Sequence, residues 1–199
     1  MTDKQIAKIK LSIKKHRAIL SAEKRKYGGF DDSAGRRYYI SDLYMRIADY
    51  KGVIIYKKWF DKNFPDDIGG PFLSLSWAIS YFQLGNIIEA EIFTIDTAFQ
   101  NVYLHGLLLG KEVIRIDMYE QGFDMLEFAK SMLKECKKVT TKQYLDWLEI
   151  FMDTDEYIEP INKFIALNKL LEDEHNTDNR LELLHHIREL ENRNKNRSK

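Results

Sequence analysis

Two Glu-x-x-His pairs, Glu172/His175 and Glu182/His185, come nearer to metal chemistry than any other residues of this chain. A spacing of i, i+3 sets carboxylate and imidazole on one helical face, the arrangement that di-iron carboxylate bundles use. A complete site of that kind also needs a carboxylate from each of two further helices. Here the pairs lie ten residues apart, separated by the turn signal Asn176-Thr177-Asp178, in the most charged part of the chain. Solvated helix charges are the expectation, and a metal-dependent helical enzyme is the alternative from a different class. His185 and His186 are neighbours, about 100° apart on a helix, and do not chelate one ion together.

The other candidates point away from chemistry. Asp66-Asp67 resembles a pair of acids but follows Pro65 at a helix junction, where aspartates cap the next helix or stay hydrated. Gly28-Gly29, Gly35 and Arg36-Arg37 lack both the Gly-x-Gly-x-x-Gly and the Walker patterns, so they read as a loop. Cys136 has no Cys or His companion nearby in sequence, and His16 and His105 have no ligand-spaced partner. Trp59, Trp77 and Trp147 are expected to fill helix-hairpin interiors. No nucleophile elbow, His-Glu-x-x-His helix or Ser-His-Asp set is legible. The expectation is a non-enzymatic chain with no catalytic residue, no metal ligand and no cofactor.

Charge narrows the partners. The 199 residues are formally neutral, yet residues 1–62 hold sixteen Lys/Arg against seven Asp/Glu, and residues 63–110 hold five acids and no Lys or Arg. A basic N-terminal third attracts nucleic acid or an acidic protein. However, Lys4, Lys8, Lys14 and Lys15 flank an Ile6/Ile9/Ile13 stripe at helical spacing, which makes them a solvated helix face. Without a nucleic-acid motif or stacking aromatics, nucleic acid is disfavoured. Neither a signal-peptide core nor an apolar run of about 18 residues is present, so a membrane role is not expected. One cysteine permits no internal disulfide and fits a reducing compartment; cytoplasm is the expected location.

The elements that would position any site are helical. Apolar periodicity predicts helices from about Asp3 to Lys26, from Arg37 or Ser41 to Ile47, over 51–63, 72–84 and 87–102, and less regularly over 112–121 and 123–139. Further helices are predicted after Thr140-Thr141 and after Asp153-Thr154-Asp155. A last one, over 180–191, turns Leu181, Leu184, Ile187 and Leu190 inward. Residues 192–199 read as a frayed polar tail, and 1–191 as a single domain. Ala48, Gly85 and Gly122 are spaced 37 residues apart, each interrupting an apolar-periodic stretch. Such a period is the mark of stacked helical hairpins, each burying its apolar face against its neighbours. The fold class expected is all-α.

The middle hairpins resemble tetratricopeptide repeats. With Gly85 as the glycine between paired helices, Tyr81, Ala78 and Ala90 fall on the repeat's pattern; with Ala48 in that place, Tyr44 and the closing Pro65 do so. Val53, Thr94, Thr97 and Val102 depart from it, and the unit around Gly122 keeps only its glycine and helical periodicity, with Glu127 at the alanine position. The likeness covers about residues 36–102 well and 103–139 loosely. The chain is also similar to bacterial helical-repeat proteins without an assigned function that carry a Trp-Phe and a Phe-Pro-Asp-Asp-Ile-Gly segment, here Trp59-Phe60 and Phe64 to Gly69. The resemblance implies a right-handed stack of antiparallel helical hairpins, a tetratricopeptide-like α-solenoid with additional C-terminal helices. Its first helices would line a concave binding face.

On that register Phe72, Leu75, Ile79 and Phe82 form one stripe of the second hairpin's first helix, with Tyr38, Asp42 and Met45 as counterparts on the preceding hairpin. The function expected is a scaffold binding a protein or a peptide, a second copy of the chain included. An immunity- or antitoxin-type inhibitor of a toxic enzyme is the alternative among binding proteins. The same stripe becomes core if flanking helices cover it.

Overall fold

The computed structural model describes residues 1–198. Among them every regular element is a helix: α1 (Asp3–Tyr27), α2 (Arg36–Arg46), α3 (Tyr50–Asn63), α4 (Pro71–Gln83), α5 (Ile87–Gln100), α6 (Leu104–Leu108), α7 (Leu126–Val139), α8 (Lys142–Phe151), α9 (Asp155–Asp173) and α10 (Thr177–Lys195). Short 3-10 turns occupy Gly122–Asp124 and Asn196–Ser198. The chain divides into two compact units, Met1–Gly69 and Gly70–Lys199.

In the first unit α1 starts with a capping box. Thr2 Oγ1 accepts the Gln5 N–H at 3.3 Å and Gln5 Oε1 accepts the Thr2 N–H at 2.8 Å, which satisfies two of the helix's orphan donors. Ile13 and Leu20 of α1 pack with Ile40 and Leu43 of α2 and with Tyr56 of α3. The Asp32 carboxylate accepts the first N–H groups of α2, from Arg36 at 2.7 Å and Arg37 at 2.9 Å. Tyr56 then ties α3 to the start of α2 through its hydroxyl, which donates to the Arg37 carbonyl at 2.9 Å. Gly52 lets Tyr44 lie flat on α3, since a Cβ there would stand 2.5 Å from the Tyr44 ring.

In the second unit α4 and α5 form an antiparallel pair that is buried almost all round. From Pro71 to Ser80 only Phe72 is partly exposed, and from Ile92 to Phe99 only Phe93. A second core joins Ile95 and Phe99 to Phe151, Tyr157 and Phe164 of α8 and α9, and to Ile187 of α10. Two serines of α4 are satisfied locally: Ser76 and Ser80 donate to carbonyls four residues back, at 2.8 and 2.7 Å.

Both turns placed by the 37-residue spacing in the first two hairpins are left-handed, at Ala48 (φ 51) and Gly85 (φ 77). Gly122 is left-handed too (φ 81), but it opens a 3-10 turn instead of joining two helices. The helix expected over 112–121 is absent, and that segment is non-helical. Its β-branched Val113, Ile114 and Ile116 disfavour helix, and its backbone finds other partners. Ile116 N–H donates to the Tyr103 hydroxyl at 3.1 Å, and Tyr119 N–H to the Asn168 carbonyl at 3.0 Å.

The polar tail is also corrected. α10 continues to Lys195, Asn194 is buried and donates to the Ile92 carbonyl at 2.9 Å, and Arg197 pairs with Glu91 at 3.0 Å. Leu181, expected to face inward, is exposed.

Gly85 has open space around its Cα, so its substitution cost is set by backbone conformation alone. Gly85→Val is expected to lower stability by about 1–3 kcal/mol, because a β-branched residue is strained in the left-handed region. Ala48→Gly is expected to raise stability by about 0.5–1 kcal/mol for the converse reason. Urea unfolding of both variants beside the wild type checks the pair; two shifts of the same sign would contradict this account.

Candidate binding site

Asp67, at the end of the first unit, gathers two side chains from the start of α2. Its Oδ2 lies 2.9 Å from Arg37 Nε and accepts the Tyr38 hydroxyl at 2.7 Å, while Oδ1 accepts the Gly69 N–H at 2.8 Å. The Arg37 guanidinium lies over two rings, 4.9 Å from the centre of Tyr38 and 4.7 Å from that of Phe64. Asp32, 3.8 Å from Nε, adds a second carboxylate. The loop from Asn63 to Ile68 is thereby held against the start of α2, and the two enclose an open depression of about 550 Å³. Ile68 stands on its rim, 67% exposed.

The electrostatics hold these side chains together as a clamp. Burial pulls the Arg37 pKa down, but Tyr38, Asp67 and Asp32 outweigh it and the net shift is upward. Burial, and next the hydrogen bond to Asp67, raise the Tyr38 phenol above its ordinary value. At neutral pH the guanidinium stays charged and the phenol protonated, each engaged with Asp67. Aromatic walls, an exposed isoleucine and a fixed polar base suit an apolar anchor of a polypeptide.

Of the residues expected at a partner face, Tyr38 alone lines this depression. Asp42 instead pairs with Arg46 along α2 at 2.8 Å, and Met45 is buried. Leu75 and Ile79 are wholly buried, and Phe72 and Phe82 partly so. Phe82 packs on Tyr144 and Trp147 of α8, ring centres 5.7 and 5.1 Å away, and Gln83 donates to Thr141 Oγ1 at 2.6 Å. Here α8 covers the end of the stripe. In the sequence Arg37 reads as part of a loop, and the Phe64 to Gly69 segment as a resemblance motif whose Pro65 closes a hairpin, with no partner role for Phe64 or Ile68.

The Glu-x-x-His residues are brought to no common site. Glu172 and His175 are exposed; His185 lies 3.5 Å from Glu189, and His186 lies 3.8 Å from Glu182. Among the described residues no group of three His, Cys, Asp or Glu is arranged to hold a metal ion. Cys136 is buried, which pushes its thiol up to about 12 and leaves it without nucleophilic thiolate. His105, fully buried on α6, shares a 2.9 Å hydrogen bond between Nδ1 and the Tyr157 hydroxyl, and burial drives its pKa down to about 3.

Compared with known proteins, the chain matches no family model, no curated protein and no solved structure. The geometry of the depression is therefore the guide to function.

Phe82→Asp is expected to cost several kcal/mol, since it sets a carboxylate against Tyr144 and Trp147 with no cationic partner in that sequence neighbourhood. A thermal melt equal to wild type would show that α8 does not hold this face closed.

His105 supplies a pH test. An unfolded histidine takes up a proton near pH 6.5, whereas the folded one does so only near 3. Its contribution to stability is thus complete above about pH 6.5 and is lost on acidification, by about 1.4 kcal/mol per pH unit. His105→Gln keeps a polar group beside Tyr157 and is expected to remove that component of the slope between about pH 6.5 and 4. Urea unfolding at stepped pH measures it; equal slopes in both proteins would refute the neutral buried histidine.

Proposed function

We propose that this chain is a non-enzymatic, polypeptide-binding protein of the helical-hairpin type, working in a reducing compartment such as the cytoplasm. The observation that carries the reading is the depression between the start of α2 and the 63–68 loop. Its lining includes the rings of Tyr38 and Phe64, Arg37 is paired with Asp67, and Ile68 is left exposed on its rim. With Arg37 paired to Asp67 and the exposed Asp66 beside it, the depression favours an apolar or aromatic side chain over a free anion. An anchor of that kind, set in a preformed hollow, is how short peptides gain affinity with little ordering cost.

The hairpin reading rests on the two left-handed turns 37 residues apart, at Ala48 and Gly85, each between paired helices. That spacing, with Tyr44 and Tyr81 four residues before each turn, supports a tetratricopeptide-like origin for the α2–α3 and α4–α5 hairpins. Helices α7 to α10 are additions to that plan. The partner-facing residues on this reading are Arg37, Tyr38, Phe64 and Ile68.

Selection from a random displayed peptide library on the purified chain is expected to enrich sequences with one aliphatic or aromatic anchor. Ile68→Asp should leave the melting curve in place, as an exposed position does, and weaken the selected peptide about tenfold or more, roughly 1.4 kcal/mol. No enrichment, or an affinity indifferent to the substitution, would remove the depression from consideration.

A further inference from the structure

The outer faces of α1 and α8 carry matching patterns of opposite sign. On α1 the residues Lys4, Lys8, Leu11 and Lys15 follow one another at spacings of four, three and four, all exposed, with Leu11 at 68%. Those spacings place them on one helical stripe. Among the described residues Lys4, Lys8 and Lys15 have no carboxylate within ion-pair distance. From 143 to 162 the sequence holds six acids and no Lys or Arg. All six, Asp146, Glu149, Asp153, Asp155, Glu156 and Glu159, are exposed, and Ile150 on α8 lies among them at 71%. Asp146 has one partner, the well-exposed Lys142, at 2.7 Å.

The register is what makes the two faces complementary. Lys8 precedes Leu11 by three residues and Lys15 follows it by four; Asp146 precedes Ile150 by four and Asp153 follows it by three. If an α1 helix runs antiparallel to α8 with Leu11 on Ile150, Lys8 falls opposite Asp153 and Lys15 opposite Asp146. In the parallel sense both pairs miss by one residue. Lys8 and Lys15 are about 10 Å apart along α1, the rise of seven residues, while Asp146 lies on α8 and Asp153 in the turn two residues past its last residue, Phe151.

We infer that α1 of one copy docks antiparallel on α8 of a second copy, Leu11 against Ile150, with Lys8–Asp153 and Lys15–Asp146 as the flanking ion pairs. Charge at the level of the whole units agrees. Residues 1–69 hold sixteen Lys/Arg and nine Asp/Glu, and residues 70–199 hold fifteen and twenty-two, net charges of equal size and opposite sign. A nucleic acid would meet the lysines equally well but would gain nothing from Leu11, and it would be repelled by the acidic unit of the same molecule. The contact is small and its ion pairs are solvated, so the association is weak and sensitive to salt.

Light scattering and sedimentation at rising concentration test this. Wild type is expected to exceed its 23.6 kDa monomer mass at low salt and to return to it at high salt. Lys8→Glu/Lys15→Glu makes both faces acidic, and Asp146→Lys/Asp153→Lys makes both basic; all four positions are exposed, so circular dichroism should not change. Each double variant alone should stay monomeric, while an equimolar mixture of the two should associate again. A wild type monomeric to its solubility limit at low salt overturns the proposal, and so does a mixture that fails to associate. Binding of duplex RNA or of anionic phospholipid vesicles through Lys8 and Lys15 by a chain that remains monomeric assigns the basic face to that ligand and overturns it as well.

Discussion

The enclosure of the α4–α5 pair is the constraint on which the second unit depends. A helix covered on all sides cannot carry an unpaired charge, because desolvating an ammonium or guanidinium costs several kcal/mol unless a partner repays it. This is why no Lys or Arg stands among the enclosed positions 73–80 and 92–99. The one acid in the middle of α5, Asp96, is buried and accepts hydrogen bonds from Ser74 at 2.7 Å and Gln100 at 3.0 Å, so its oxygen is paired across the hairpin. A stretch that looks, in sequence, like an apolar and mildly acidic groove has that composition because it is interior.

Covering such a pair leaves little freedom to the helices around it. Each is located by a polar contact as well as by apolar packing. Tyr144 of α8 shares a 2.9 Å hydrogen bond with Thr94 of α5, and burial raises its phenol far above the ordinary range. Asn194 of α10 reaches the Ile92 carbonyl, and Asn101 donates to the carbonyls of Phe123 and Met125 at 2.8 and 3.1 Å, fixing the chain just before α7. An unmade hydrogen bond in such surroundings costs more than a made one contributes. These contacts therefore select one arrangement of the C-terminal helices from the many that apolar packing alone would tolerate.

The features legible in the sequence were those set by local physics. Asp49, Asn86, Thr141 and Asn176 each accept a backbone N–H at the start of a helix, and the turns at Ala48 and Gly85 fall where small residues break the periodicity. What could not be read was decided by contacts distant in sequence. Residues 112–121 have some helical periodicity but give up their backbone to Tyr103 and Asn168, and Asn194 and Arg197 are held by Ile92 and Glu91, about a hundred positions away. The same limit applied to function. Tyr38 lines the depression, but the stripe through Leu75 and Ile79 was not separable from core, since helical periodicity reports that a face is apolar and not what covers it.

Charge balance separates the depression beside Arg37 from the outer face of α1. In the depression, Arg37 is matched by Asp67 and Asp32, and its rings and Ile68 supply the contact area. A ligand seated there gains mainly from buried apolar surface, which salt leaves intact or strengthens. On α1, Lys4, Lys8 and Lys15 have no carboxylate within ion-pair distance among the described residues, so whatever meets them gains long-range attraction that added salt screens within about 10 Å. Ionic strength therefore discriminates between the two faces before any residue is changed. Binding that survives salt belongs to the hollow beside Arg37, and binding that fades belongs to α1.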